Sequence, residues 1–213
     1  MDSGVLEESS SSPSGKLYIR TIDEGVAGGQ IEIVLTDGSS FYVSPNFLHE
    51  RQLREGDSVS EELLLHLSEE TIAAAARTKA LEYLARREHS RLELKAKLLR
   101  KDYPETTVER VLEECEERDY LNDERFARVW TEARIRRKTE GPGRIAGKLS
   151  QKGVPREIIE RVTRELFTEE VLERLISQAA ERGRRVAGDD PMKLKRYLVS
   201  RGFTISQINK YFC

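Results

Sequence analysis

"GKLSQKGVPREIIERV", Gly147 to Val162, holds a helix, an abrupt stop and a proline-led restart. Gly153 falls where a helix must end in a left-handed residue, a conformation that costs least at glycine. Pro155 then opens the next helix, a position that tolerates a missing N–H. Leu149, Val154, Ile159 and Val162 are spaced to pack a small core around the turn.

The same pattern recurs on both sides. Leu149 aligns with Leu98 and Leu198, copies spaced by 51 and 49 residues. Four residues before the leucine lie Leu94, Ile145 and Leu194; four after it lie Asp102, Gly153 and Gly202. Tyr103, Val154 and Phe203 follow, then Val108, Ile159 and Ile208, then Val111, Val162 and Tyr211. Eight residues before the leucine stand Ser90, Gly141 and Asp190, all accepted N-cap types. Ser90 opens "SRLE", a capping box in which Glu93 is expected to reach back to the cap. Pro142 and Pro191 each follow a cap, and Pro104 restarts a helix as Pro155 does. Asp102 is the departure, since aspartate takes a left-handed conformation less readily than glycine.

Each copy also has a leading helix: "ALEYLARRE", "DERFARVWTEARIRRK" and "TEEVLERLISQAAERGRR". Their expected buried stripes are Leu81/Leu84/Ala85, Phe126/Val129/Trp130/Ala133 and Leu172/Leu175/Ile176/Ala179. The fold expected is mainly α: three tandem three-helix modules at 69–120, 121–168 and 169–213, forming an elongated curved body. Ser68 is the expected cap of the first leading helix.

Ahead of the repeats, residues 16–68 read as a small acidic α/β module. "KLYIRTI" alternates, Asp37-Gly38 sits between two apolar runs as a hairpin signal, and "SPNFLHERQL" suits a short helix. Residues 1–15, rich in Ser, Glu, Pro and Gly, read as a disordered tail without the basic and apolar regions of a signal peptide.

Charged residues make up 35% of the 213-residue chain, above the ordinary ~25%, which favours solvated helical faces over a thick core. The net charge of −2 hides an asymmetry. Residues 1–70 carry 4 basic and 14 acidic side chains, a net of −10; residues 71–213 carry 32 and 24, a net of +8. A basic rear suggests an electrostatic partner. No apolar run is long enough to span a bilayer, so no membrane association is expected. Cys115 continues the Val108/Val111/Leu112 stripe and reads as a packed thiol, whereas Cys213 could be free; both suit a reducing cytoplasm.

The repeats resemble the RecX family, regulatory proteins that restrain the RecA recombinase. "ALEYLARREHSRLELKAKLLRKDY" is similar to the family's opening signature. "YLNDERFARVW" matches its Tyr-Leu-acid/amide-Asp…Phe-Ala box through Tyr120 and Asp123, and "GPGRIAGKLSQKGVP" its Gly…Ile…Leu…Lys-Gly run. The likeness covers roughly residues 70–213, and the front module resembles an N-terminal extension of some members. Asp102, where glycine is common, and a third copy that ends abruptly at Cys213 depart from the pattern. The resemblance implies a non-enzymatic regulator of recombination, DNA repair and the SOS response. It would bind in the groove of the RecA–DNA filament and limit its growth, ATPase and strand exchange. It would bind single- and double-stranded DNA weakly and as a monomer.

The residues agree with a binding protein. His49, His66 and His89 form no metal spacing, no phosphate loop or nucleophile elbow occurs, and no cofactor is expected. "ETTVERVLEECEERDYLNDE" holds nine carboxylates around an apolar stripe and reads as a solvated helix face rather than a two-metal site. Residues 125–164 carry 12 basic and 4 acidic side chains. The binding candidates there are Arg134, Arg136, Arg137, Lys138, Arg144, Lys148 and Lys152. The third copy adds Arg182, Arg184, Arg185, Lys193, Lys195 and Arg196 at the same place in the repeat. Such clusters suit phosphates, with salt-dependent affinity, or an acidic protein groove. Trp130, in step with Phe126, reads as core rather than a base-stacking platform. Asn122 or Asp123 is the expected cap of the second leading helix. The turn itself resembles a helix-turn-helix, so a plain DNA-binding module and a helical scaffold remain the alternatives.

Overall fold

The computed structural model describes residues 16–26, 29–188 and 190–212; the expected disordered tail and Cys213 lie outside them. It divides into two units, Met1–Ala75 and Ala76–Cys213. Among the described residues there are four strands and ten helices.

The front unit is a four-stranded antiparallel sheet, β1 (Leu17–Val26), β2 (Gln30–Leu35), β3 (Ser40–Val43) and β4 (Ser58–Val59), in the order β3-β2-β1-β4. Strict alternation puts Ile31, Ile33 and Leu35 of β2 into the core, with Ile19, Val43 and Leu67. The Asp37-Gly38 turn joins β2 to β3 with Ile33 opposite Phe41. α1 (Pro45–Arg51) is capped by Ser44, whose side chain accepts the Phe47 N–H.

α2 runs without a break from Glu61 to Leu84, so it starts well before the expected cap. Ser60 accepts the Leu63 N–H at its head. Ser68 lies inside the helix, where its hydroxyl donates to the Leu64 carbonyl one turn back. "SEELLLHL" and "SEETIAAAA" both carry a capping signature, and the upstream one opens the helix. Beyond Leu67, the buried apolar face of α2 is alanine, Ala73, Ala74, Ala76 and Ala80, while Leu81 is exposed, contrary to the expected stripe.

The second unit continues with α3 (Arg91–Leu99), α4 (Glu105–Glu117), α5 (Asp123–Arg137), α6 (Pro142–Gln151), α7 (Arg156–Leu166), α8 (Glu169–Ala187), α9 (Pro191–Ser200) and α10 (Ile205–Phe212). Ser90, Gly141 and Asp190 are the N-caps of α3, α6 and α9. Asp102, Gly153 and Gly202 are all left-handed, with φ of 61°, 78° and 93°. Leu94/Ile145/Leu194, Leu98/Leu149/Leu198 and Val108/Ile159/Ile208 are all buried. The first copy packs its own core around Leu98 and Leu112, whereas the second and third share one continuous core from Phe126 to Ile208.

In the second leading helix, Val129 departs from the expected stripe, as Leu81 and the exposed Ala85 do in the first. Val129 is 47% exposed, and Thr131 is buried in its place. Trp130 is half-buried, its ring packed against the shared core. Cys115 is packed, and burial pushes its thiol up to about 11.

The joints between copies carry a chemistry of their own. The Ser90 hydroxyl donates to the Lys152 carbonyl at 2.6 Å, and the Gly141 N–H donates to the Arg201 carbonyl at 2.8 Å. In both, the helix-ending turn of one copy seats on the capped start of α3 or α6 in the copy before. A Cβ built at Gly153 would lie 2.6 Å from the Leu92 Cβ, and one at Gly202 would overlap the Arg144 backbone nitrogen. Glycine is therefore required twice over at these turns, for its dihedral angles and for contact. Asp102 is exposed and has only the dihedral demand to meet.

Truncating Leu149, fully buried in the shared core, to Ala is expected to cost about 2–5 kcal/mol in urea unfolding. Val129→Ala, on the exposed side of α5, is expected to stay within about 0.5 kcal/mol.

Candidate functional site

α5 ends in Arg134, Ile135, Arg136 and Arg137, and its last carbonyls favour that positive charge. The loop Lys138–Thr139–Glu140 leads to α6, capped by Gly141. The basic candidates here divide by what they face.

Glu140 is only 5% exposed and organises the first group. Lys148 Nζ lies 2.5 Å from its Oε1, Arg144 Nε 3.5 Å from the same oxygen, and Arg134 Nη1 3.9 Å from Oε2. Burial alone would raise this carboxyl. The Lys148 hydrogen bond and the charges of Lys148, Arg134 and Arg144 outweigh burial and hold it below the ordinary carboxylate range. Arg134 also stacks over the Trp130 ring at 4.7 Å, and Arg144 donates to the Ser200 carbonyl at 3.0 Å. Lys152 pairs with Glu93 and sits 5.9 Å from the rings of Phe126 and Trp130. Of the seven candidates of the second copy, Arg144 and Lys152 thus reach a neighbouring copy, and Arg134 and Lys148 brace Glu140 within their own. Glu93 spends its carboxylate on Lys152 and Arg87, so the capping box keeps only its forward half, the Glu93 N–H donating to the Ser90 hydroxyl.

The second group faces solvent. Arg136, Arg137 and Lys138 are exposed, and among the described residues no side-chain partner is recorded for them. Thr139 joins them to the third copy: Arg182 Nη1 lies 3.3 Å from its hydroxyl, and Arg201 donates to its carbonyl at 3.1 Å. The fold therefore brings the end of α8 beside the loop that follows α5. Arg184 and Arg185 are exposed on the same helix end, Arg185 within 3.9 Å of Glu181. On α9, Lys193 is near Asp190 at 3.8 Å, Lys195 donates to Asn209 at 2.9 Å, and Arg196 Nε lies 3.4 Å from the Met192 carbonyl.

The acidic run is a paired face more than a solvated one. Lys95 bridges Glu105 and Glu109, Arg91 reaches Glu109 and Glu116, Arg77 holds Glu114 through two nitrogens, and Arg125 takes Asp119. Among the described residues no group of three or more His, Cys, Asp or Glu is arranged to hold a metal, and no helix is long and apolar enough to cross a membrane.

"YLND" divides its labour. Asn122 caps α5 by accepting the Glu124 and Arg125 N–H groups, both at 3.0 Å. Asp123 instead accepts the Arg91 N–H at 2.8 Å, reaching from the second copy to the start of α3 in the first. Burial, with Glu116 nearby, lifts the Asp123 carboxyl above the ordinary range. The sequence reading missed this role and that of Glu140. A lone acid inside "RIRRKTEGPGR" was the available signal for Glu140; nothing local signals Asp123, whose partner is 32 residues away.

Family models for RecX match this part of the chain, the first three-helix domain over residues 76–115 and the second over 122–162. The regulatory protein RecX of Prosthecochloris aestuarii is 35% identical over 138 residues, 63% of this chain and 89% of that protein. The chain belongs to the RecX family. The Halorhodospira halophila RecX is likewise 35% identical, over 63% of this chain and 84% of its own. A Listeria monocytogenes RecX is 28% identical, and the match spans only 55% of its length. A crystal structure of regulatory protein RecX superposes with a TM-score of 0.80 at 24% identity, covering 92% of this chain and 98% of its own. That coverage takes in most of the front unit as well as the RecX repeats. The RecX structure from Lactobacillus salivarius gives 0.60 at 24% identity, over 66% and 94%.

Glu140→Gln removes a carboxylate whose folded-state pKa is depressed. Its contribution is complete above the unfolded-state pKa and is lost as pH falls through the folded value. The variant is expected to unfold about 1.5–3 kcal/mol more easily at pH 7, with the gap from wild type closing in acid; urea titrations across that range measure it.

Proposed function

We propose that this protein binds the RecA–DNA filament and modulates its growth, ATPase and strand-exchange activity, and so contributes to control of recombination, DNA repair and the SOS response. It does so in the cytoplasm, without catalysis of its own. RecX family membership supports the partner. The observation that carries the choice of surface is the exposed basic set at the α5 end, Arg136, Arg137 and Lys138, meeting the α8 end through Thr139. Recurrence at one place in successive copies would set these charges along one stripe, spaced to meet a repeating polymer.

Uncompensated cations are the ones free to bind. A cation already paired with a buried or half-buried carboxylate must break that pair before it can neutralise a phosphate or an acidic side chain. For this reason Arg134, Arg144, Lys148 and Lys152 move from contact residues to supports, and Arg136, Arg137, Lys138, Arg182, Arg184, Arg185, Lys193 and Arg196 remain as contacts. Lys195, tied to Asn209, is secondary.

The plain DNA-binding reading would use α7 as a recognition helix. Two of its arginines are engaged: Arg156 with Glu160 at 2.7 Å, and Arg161 with Glu124 at 2.6 Å. A helix whose charges pair internally offers little to base edges. Weak, salt-dependent contact with single- or double-stranded DNA fits the exposed basic set instead. The acidic front unit either meets a basic patch on the filament or screens the basic rear.

The discriminating measurement is RecA ATP hydrolysis on single-stranded DNA while this protein is titrated. Inhibition far below the amount that coats the DNA is the expected result; inhibition only at full coverage would favour the plain DNA binder. Arg136→Ala/Arg137→Ala/Lys138→Ala is expected to weaken inhibition with the melting temperature unchanged. The same variant should flatten the salt dependence of any DNA binding, by up to about three in slope. A triple variant that inhibits like wild type would move the contact surface elsewhere.

A further inference from the structure

Arg182 of α8 and Arg201, the residue that ends α9, converge on Thr139 in the loop between α5 and α6. Arg201 grips it with one edge of its guanidinium. Nε donates to the Thr139 carbonyl at 3.1 Å, and Nη2 donates to the hydroxyl at 3.2 Å. Arg182 Nη1 donates to the same hydroxyl oxygen at 3.3 Å. Thr139 is 1% exposed, and both lone pairs of its hydroxyl are used in this way. The Arg201 backbone is fixed to the same loop, since its carbonyl accepts the Gly141 N–H.

Two guanidiniums thus share one neutral oxygen. Among the described residues neither pairs with a carboxylate, and Arg201 has the Tyr197 ring 5.9 Å away. Glu140, the acid next to Thr139 in the chain, is already taken by Lys148, Arg144 and Arg134. Like charges held this close repel each other, and a bound anion relieves the repulsion. Nη1 of Arg201, with Nε and Nη2 of Arg182, has no partner among the described residues. We propose that Arg182 and Arg201 form a phosphate-binding pair, held in place by Thr139, which takes a phosphate group of a nucleic-acid backbone or a free phosphate ion. A guanidinium presents a planar fork of donors that meets two oxygens at once. Two forks suit a tetrahedral group with oxygens to spare, whereas one carboxylate fills one fork. Thr139 fixes both side chains beforehand, so binding orders little more. Arg201 lies outside any basic run, and only the fold places it here. The inference rests on the α5–α8 face being a binding surface, not on RecA being the partner.

Melting of the full chain in chloride, acetate and phosphate at one ionic strength tests the pair. Phosphate at about 10 mM is expected to raise the wild-type Tm by about 2–4 °C over chloride, with acetate close to chloride. Arg182→Gln, at an exposed position, is expected to lose most of that rise. Arg201→Lys keeps the charge without the fork and is expected to lose roughly half or more. Arg156→Gln removes the same charge from α7 and should keep the rise. Phosphate also stabilises proteins through exclusion from their surface, so the difference between variants is the readout. Fluorescence anisotropy of a labelled oligo-dT separates the two sources. Competition by phosphate beyond that of chloride, with a salt slope lower by about 0.7 in Arg182→Gln, identifies a nucleic-acid phosphate. Unchanged DNA binding beside the expected melting shifts identifies a free phosphate ion. A wild type that melts alike in all three salts, or an equal rise in wild type and Arg182→Gln, would overturn the proposal. None of these readouts uses RecA, so their failure is separable from a failure of the ATPase titration.

Discussion

Everything in the second unit depends on a helix ending in a left-handed residue and on another helix start receiving that ending. The turn carbonyls at Lys152 and Arg201 meet donors at Ser90 and Gly141 at 2.6 and 2.8 Å, with no room between for a side chain. Backbone carbonyls at a helix end are short of donors, and backbone N–H groups at a helix start are short of acceptors. The Gly141 joint satisfies part of both deficits at once, and the Ser90 joint relieves the carbonyl through a side-chain hydroxyl. A three-helix copy is too small to hide much apolar surface alone. The joint places successive copies so that α5, α6 and α7 share one core with α8, α9 and α10.

The joints also decide which charges remain available. A basic segment next to a buried carboxylate is a support before it is a binding surface. Glu140 draws in Arg134, Arg144 and Lys148, and Glu93 draws in Lys152, so the cations nearest the joint are neutralised there. Those one or two residues away, Arg136, Arg137 and Lys138, have no such anchor and face water. Arg182 and Arg201, from the third copy, close on Thr139 from the other side. The exposed basic patch is thus what remains of a larger basic region once the joint has taken its share.

Much of this was legible in the sequence, because the repeat obeys local rules. Caps, a proline after the cap, a left-handed stop and apolar residues at helical spacing are short-range demands, and Ser90, Pro142, Gly153 and Leu149 state them openly. What was not legible depends on contacts distant in the chain. Ser68 looked like a cap because its signature is genuine, yet Ser60 offers the same signature eight residues earlier and the chain is helical from there. Val129 fits an apolar stripe by spacing, but Thr131 is the residue turned inward. The basic run could be located from composition. Its division into paired and free cations could not, since that depends on one buried carboxylate and on a helix more than 40 residues on.

Glycine and aspartate at one repeat position show how local and long-range demands separate. Asp102, Gly153 and Gly202 adopt the same backbone, so the helix stop alone does not require glycine. Glycine is present where a second helix presses on the turn and aspartate where none does. A glycine recurring at such a stop therefore marks contact as much as conformation, and its replacement in one copy marks a turn left exposed. By this reasoning the departure at Asp102 agrees with the rest of the repeat: the helix stop is kept at a turn that stays exposed.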